Sequence, residues 1–295
     1  MGGSSLTLWD IQSRAILRDF HHPTYYLGLA LSADGIQVAA GYVSSEHVFV
    51  GLFDIETGNR TCGIDYQMKE LPPGVQERTG PAISVAISPD GTSFITADSR
   101  GSLISWDTST GNMIRQYDVY STLFGIPRGR IAFLPDGKRI ILNPGFSQVS
   151  LVDLEKDEIV YSVSGFPGYS LSADLSRFLV YAGWSIRLYD TLSGDCIRSV
   201  VLEKTTYNRA IALSPDASLA TVDSEAGDEE TYPLEVVDMN RGEVLRTYPF
   251  NAGGLVGFSP DGKYFLETDG KALSFYDISD LQAAVKEPGV ENQGK

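Results

Sequence analysis

The chain has 295 residues, 42% of them hydrophobic and 11% aromatic, enough for one large core or two ordinary ones. Its net charge is −15 at pH 7. A surface this acidic repels nucleic-acid phosphates and anionic lipid, so the expectation is no nucleic-acid and no membrane partner.

Strand signals begin at once. SLTLWDIQSRAILRDF predicts two strands, the first ending in Trp9-Asp10. LSADG at 31–35 is a turn, and VGLFD ends a strand at Asp54. Residues 66–81 form the longest connection. The stretch from 82 to 118 then reads as four short apolar runs, AISVAIS, SFITAD, SLISWD and MIRQYD, separated by ISPDG at 87–91 and by two further turns. Four antiparallel strands in about 40–45 residues are the repeat unit of a propeller blade.

The pattern continues. Residues 117–130 form a second long connection, followed by the turns AFLPDG at 132–137, LSADLS at 171–176, LSPDAS at 213–218 and FSPDG at 258–262. Strands ending in Asp alternate with them, at Asp107, Asp153, Asp190, Asp238 and Asp277. Residues 223–233 insert an acidic run, read as a solvated loop because it lacks the alternating ligands of an EF-hand. The last residues, 281–295, are expected to be a short helix or a disordered tail, after a single domain over 1–280.

Each marker has a local physical reason. In S-P-D-G, Pro presets φ, Asp accepts from nearby backbone and Gly takes the left-handed position. In the second marker an apolar side chain packs inward. The Asp after it accepts backbone N–H groups of the next turn.

With Trp9-Asp10 and Trp106-Asp107 complete, and Phe53-Asp54, Tyr189-Asp190, Val237-Asp238 and Tyr276-Asp277 degenerate, the chain resembles the WD-repeat β-propeller family over about residues 5 to 280. The resemblance implies an all-β propeller of four-stranded antiparallel blades. Seven strand-Asp markers favour seven blades with the first incomplete; in the alternative, six blades are closed by AILRDF. The family's Gly-His dipeptide is missing, and with three histidines its Asp–His–Ser–Trp network cannot repeat.

The resemblance also implies a non-catalytic scaffold that binds protein partners through loops on one face, as a monomer or within a larger complex. The alternative is a propeller enzyme, of hydrolase, lactonase or quinoprotein dehydrogenase type, with its site at a channel mouth. No catalytic motif is present, and neither a cofactor nor a metal is expected; His21-His22 lacks a third ligand nearby. Exposed aromatics and arginines on the loops are the partner-binding candidates: Tyr120, Phe124, Arg128, Trp184, Tyr207 and Arg209.

Cys62 and Cys196 each open an apolar run and are expected to be packed thiols, which suits a reducing compartment. The first residues carry no apolar stretch of a secretory signal. A cytoplasmic or nuclear location is therefore expected.

Overall fold

The computed structural model describes all residues except 1–4, 11–12, 14, 22–27, 45, 71–81, 120–130, 146–147, 166–168, 203–210, 224–231, 251–254, 269–272 and 287–295. The chain divides into two compact units, residues 1–167 and 168–295. Both are built from one element, an antiparallel sheet whose strands follow one another in sequence.

In the first unit, β1 (Ser5–Asp10) and β2 (Ala15–His21) form a two-stranded sheet. Three four-stranded sheets follow. The first holds β3 (Gly28–Leu31), β4 (Gln37–Ser44), β5 (His47–Asp54) and β6 (Arg60–Gln67). The next holds β7 (Ile83–Ile87), β8 (Ser93–Asp98), β9 (Leu103–Asp107) and β10 (Met113–Tyr117). The last holds β11 (Ile131–Phe133), β12 (Arg139–Gly145), β13 (Gln148–Asp153) and β14 (Glu158–Ser164).

The second unit repeats the plan. One four-stranded sheet holds β15 (Tyr169–Leu171), β16 (Arg177–Ala182), β17 (Ser185–Asp190) and β18 (Cys196–Val201). Another holds β19 (Ile211–Leu213), β20 (Leu219–Asp223), β21 (Tyr232–Asp238) and β22 (Glu243–Phe250). A three-stranded sheet of β23 (Leu255–Phe258), β24 (Tyr264–Thr268) and β25 (Leu273–Asp277) precedes α1 (Ser279–Lys286).

The turns explain why these strands begin and end where they do. In the sheet of β7, Ser88 Oγ donates to Asp90 Oδ1 at 2.7 Å and accepts the Ser93 N–H at 3.0 Å. Asp90 Oδ1 also accepts the Thr92 N–H at 3.0 Å. Gly91 closes the turn at φ 70°. The same Ser–Asp pair recurs as Ser32–Asp34, Ser172–Asp174, Ser214–Asp216 and Ser259–Asp261. Leu134 replaces the serine once. There Asp136 accepts the Lys138 and Arg139 N–H groups and pairs with the Arg139 guanidinium at 2.7 Å.

At the third strand's end the aspartate holds the next reversal. Asp107 Oδ1 accepts the N–H groups of Ser109 and Thr110, and the Ser109 hydroxyl at 2.6 Å. A β-bulge sits beside this marker in the pairing of third and fourth strands, at Leu8/Trp9, Leu52/Phe53, Leu151/Val152, Leu188/Tyr189 and Val236/Val237. The bulge adds twist where the sheet must end.

Strand alternation sends every second residue to the sheet before and the others to the sheet after. The cores therefore lie between successive sheets. Val85 and Ile87 of β7 pack back against Val48, Val50 and Leu52, while Ala86 joins Phe133, Ile140 and Leu142 on the other side. In the second unit Leu188 and Val200 meet Leu213 and Val222. Val236 and Leu234 meet Phe265 and Leu281. First strands stack directly: β3 on β7, β7 on β11, β15 on β19 and β19 on β23. Gly28 permits the first of these, since a Cβ there would lie 2.7 Å from the Ile83 carbonyl oxygen.

Candidate functional site

The carboxylates that a catalytic reading would draw on are engaged in turns. Hydrogen bonds from Ser109 and Thr110 hold Asp107 down at about 2. The serine hydroxyl beside each of Asp34, Asp90, Asp174 and Asp261 lowers it in the same way. Such groups are ionised acceptors at neutral pH and do not serve as proton donors. Among the described residues no group of three or more His, Cys, Asp or Glu is placed to hold a metal ion.

One polar network is buried. Trp106 Nε1 donates to Thr96 Oγ1 at 3.0 Å, and the Tyr66 hydroxyl reaches the same oxygen at 3.4 Å. The Trp106 ring lies stacked against both Tyr66 and Phe94. Asp98 Oδ1 accepts the Arg100 and Ser102 N–H groups. Burial pushes the Asp98 carboxyl above the ordinary carboxylate range, while bonds from Ser102, Arg100 and Tyr66 draw it back. Tyr66 stands beside the Trp–Thr pair where the WD-repeat network is expected to use histidine. This is a fastening between two sheets, closed to substrate.

A different place is open. The two most exposed large apolar side chains among the described residues are Val201, at 76%, and Trp184, at 69%. Both sit at one end of the β15–β18 sheet. Trp184 follows Gly183, whose φ of 66° turns the chain between β16 and β17. The Leu202 N–H donates to the Trp184 carbonyl at 2.9 Å, and Val201 pairs with Ser185. The indole is thus held on a fixed turn with its side chain in water.

Of the six sequence candidates, Trp184 is the one the described residues include. Tyr120, Phe124, Arg128, Tyr207 and Arg209 lie outside them, in 120–130 and 203–210. Residues 203–210 follow Leu202 directly. His22 and Glu225, Asp228, Glu229 and Glu230 also lie outside the described residues. Asp223 is buried at the end of β20 instead of solvated, because that strand lies second in its sheet.

The cysteines differ from each other. Cys62 is packed in the first core, and burial pushes its thiol up. Cys196 is exposed, which corrects the expectation of two packed thiols. It opens β18, a fourth strand, whose outer edge has no further strand among the described residues to cover it.

Sequence reasoning missed a recurring arginine on the fourth strands. Arg18, Arg115, Arg198 and Arg246 each pair with the residue one before the third-strand marker. Arg18 donates to the carbonyls of Ile55, Glu56 and Thr57 on the next sheet. Arg115 donates to the Leu154 carbonyl at 3.0 Å and pairs with Asp157. Arg246 pairs with Asp280 of α1 at 2.5 Å. For Arg198 no such bond is seen among the described residues. The apolar-Arg signal was in the sequence, as ILR, MIR, CIR and VLR.

No protein-family profile matches the chain. Among curated proteins it is similar to an uncharacterized WD repeat-containing protein of Synechocystis, 28% identical over 138 residues. That match covers 45% of this chain and 38% of the relative. Among solved structures it is similar to the β-propeller domain of Cps50 (Swd1) from Myceliophteria thermophila, with a TM-score of 0.69 and 14% identity, covering 94% of this chain and 91% of that one. Kuenenia stuttgartiensis hydrazine synthase is similar at a TM-score of 0.64 and 16% identity, covering 90% and 80%. At these identities both likenesses concern the fold alone.

Successive antiparallel sheets, packed first strand on first strand, define a β-propeller. Its markers, with Trp9-Asp10 and Trp106-Asp107 intact and the others degenerate, are similar to those of WD-repeat proteins.

Proposed function

We propose that the protein is a non-catalytic docking scaffold that binds protein partners through the sheet ends and loops carrying Trp184. The observation that carries this reading is the exposed Trp184 and Val201 on a fixed turn. A Trp side chain has few torsions to order on binding and buries a large apolar area, which is why Trp is enriched among interface hot spots. Tyr120, Phe124, Arg128, Tyr207 and Arg209, outside the described residues, are proposed as further partner-binding residues on their own loops. The engagement of the turn aspartates supports binding over catalysis.

On this reading residues 1–280 act as one propeller, in the cytoplasm or nucleus, needing neither cofactor nor metal. The test is quantitative affinity capture of tagged chain from native cell extract. A stoichiometric protein partner retained by the wild type, and reduced at least tenfold by Trp184→Ala in a chain with unchanged circular dichroism, supports the reading. A partner held equally by Trp184→Ala, Phe124→Ala and Arg128→Ala removes this surface from it.

A further inference from the structure

We infer that the outer edge of β18 takes an extended, acidic segment of a protein partner as an added strand, with a partner carboxylate on Arg198 and an apolar partner side chain on Val201. The inference rests on the docking reading of this sheet end and adds what the partner must carry.

The backbone of β18 is laid out for such an addition. Among the described residues β18 pairs with β17 and with no other strand. Val201 lies opposite Ser185, and the Leu202 N–H donates to the Trp184 carbonyl at 2.9 Å. Hydrogen-bonded and non-bonded pairs alternate along an antiparallel ladder. With Leu202 bonded inward, the N–H and C=O groups of Val201 and Ser199 turn away from β17. An edge of this kind is a template for a further strand. The side chains beside it stand in water, since Cys196, Ile197, Arg198, Ser199 and Val201 are all exposed. β10 is exposed along its first four residues too, so exposure alone does not single out β18.

Arg198 does. It holds the place of Arg18, Arg115 and Arg246, each of which is tied to the element that follows. Arg115 and Arg246 meet a carboxylate there, Asp157 at 3.6 Å and Asp280 at 2.5 Å. The turn that would serve Arg198 is 238–242. It stands against β18, because a Cβ on Gly242 would lie 3.7 Å from Val200 Cγ2. Gly242, at φ 79°, holds the left-handed place that Asp157 holds at φ 58° in its own turn. The carboxylate is lost with that exchange. Arg241 stands next to it and pairs with Asp238 at 3.6 Å. Among the described residues nothing engages the Arg198 guanidinium.

The chain carries a net charge of −15, so an exposed arginine without a carboxylate is a positive point on an acidic surface. A guanidinium binds a carboxylate through two parallel N–H groups, which favours an acidic side chain from outside. Arg198 and Val201 are three positions apart and so lie on opposite faces of the strand. A strand that meets both carries its acidic and its apolar residue three positions apart as well.

The test screens a displayed library of random ten-residue peptides against the full chain. Selected peptides are expected to carry Asp or Glu three positions from an apolar residue. Each is expected to slow hydrogen exchange at Ser199 and Val201 at least tenfold. Arg198→Glu, with unchanged circular dichroism, is expected to weaken binding at least tenfold and to bind the same peptide with Lys in place of its acid. Three results overturn the inference: no peptide is selected; the selected peptides leave Ser199 and Val201 exchange unchanged; or Arg198→Glu binds them as the wild type does. Binding that needs Trp184 but not Arg198 leaves the docking reading standing and overturns this inference. Binding that needs Arg198 and is indifferent to Trp184→Ala supports this inference and removes the indole from the docking reading.

Discussion

Arg115 Nη1 donates to the Leu154 carbonyl at 3.0 Å, joining the fourth strand of one sheet to the third-strand turn of the next. The guanidinium also lies over the Tyr117 ring at 4.8 Å and 3.6 Å from Asp157. A charged hydrogen bond to a carbonyl contributes about 1.5–3 kcal/mol, and partial exposure reduces it. Arg115→Ala is expected to cost about 1–2 kcal/mol in urea unfolding. Arg198→Ala, at the matching place where no such bond is seen among the described residues, is expected to stay within about 0.5 kcal/mol. Equal effects would show that the reach to the next sheet contributes nothing.

Thr96→Val preserves shape and removes the acceptor of the Trp106 indole. A buried donor left unpaired costs about 1–3 kcal/mol. The expected result is a loss of that size, together with a changed Trp106 emission. Full stability in the variant would mean that the indole finds another acceptor.

Two repeat turns have lost their glycine. Leu175 and Ala217 hold φ values of 59° and 58° where Gly91 holds 70°. The left-handed region costs an L-residue about 1–2 kcal/mol, offset in part by about 0.5–1 kcal/mol for the freedom glycine gains when unfolded. Leu175→Gly and Ala217→Gly are each expected to stabilise by about 0.5 kcal/mol. A Cβ on Gly91 meets nothing within 4 Å, so Gly91→Ala is expected to cost about 1 kcal/mol through backbone strain alone. Thermal unfolding of the three variants checks both signs.

Acid should weaken the turns. The folded pKa of Asp107, about 2, lies below its ordinary 3.8. Its contribution is therefore complete above pH 4 and disappears as pH falls toward 2. Asp34, Asp90, Asp174 and Asp261 shift in the same direction. Asp98 acts oppositely: its raised pKa makes its charge a cost at neutral pH that protonation relieves. The urea midpoint is expected to fall between pH 4 and pH 2. Ser109→Ala is expected to raise the Asp107 titration followed by NMR. A flat profile over that range would contradict the assignment.

The strands were legible because both markers act locally. The third strands β1, β5, β9, β13, β17, β21 and β25 end at Asp10, Asp54, Asp107, Asp153, Asp190, Asp238 and Asp277, as the marker predicts. The two-stranded first sheet was also legible, from the stretch SLTLWDIQSRAILRDF. Contacts between sheets were less legible. Tyr66 meets Trp106 across 40 positions of sequence, and no local pattern announces that pairing. Cys196 was misjudged because an apolar run does not distinguish a fourth strand from a covered one. Trp184 could be singled out by its place after Gly183 in a turn, but its exposure depended on the whole sheet.

The measurement that tests the docking account most directly is photo-crosslinking from position 184. A photoreactive phenylalanine analogue replaces Trp184 in the full chain, and a matched chain carries it at the exposed Lys156. The account predicts one discrete protein adduct from position 184 in native extract, weaker when Val201→Asp is added and absent from position 156. The same adducts from both positions, or none from 184 in a folded chain, would contradict it.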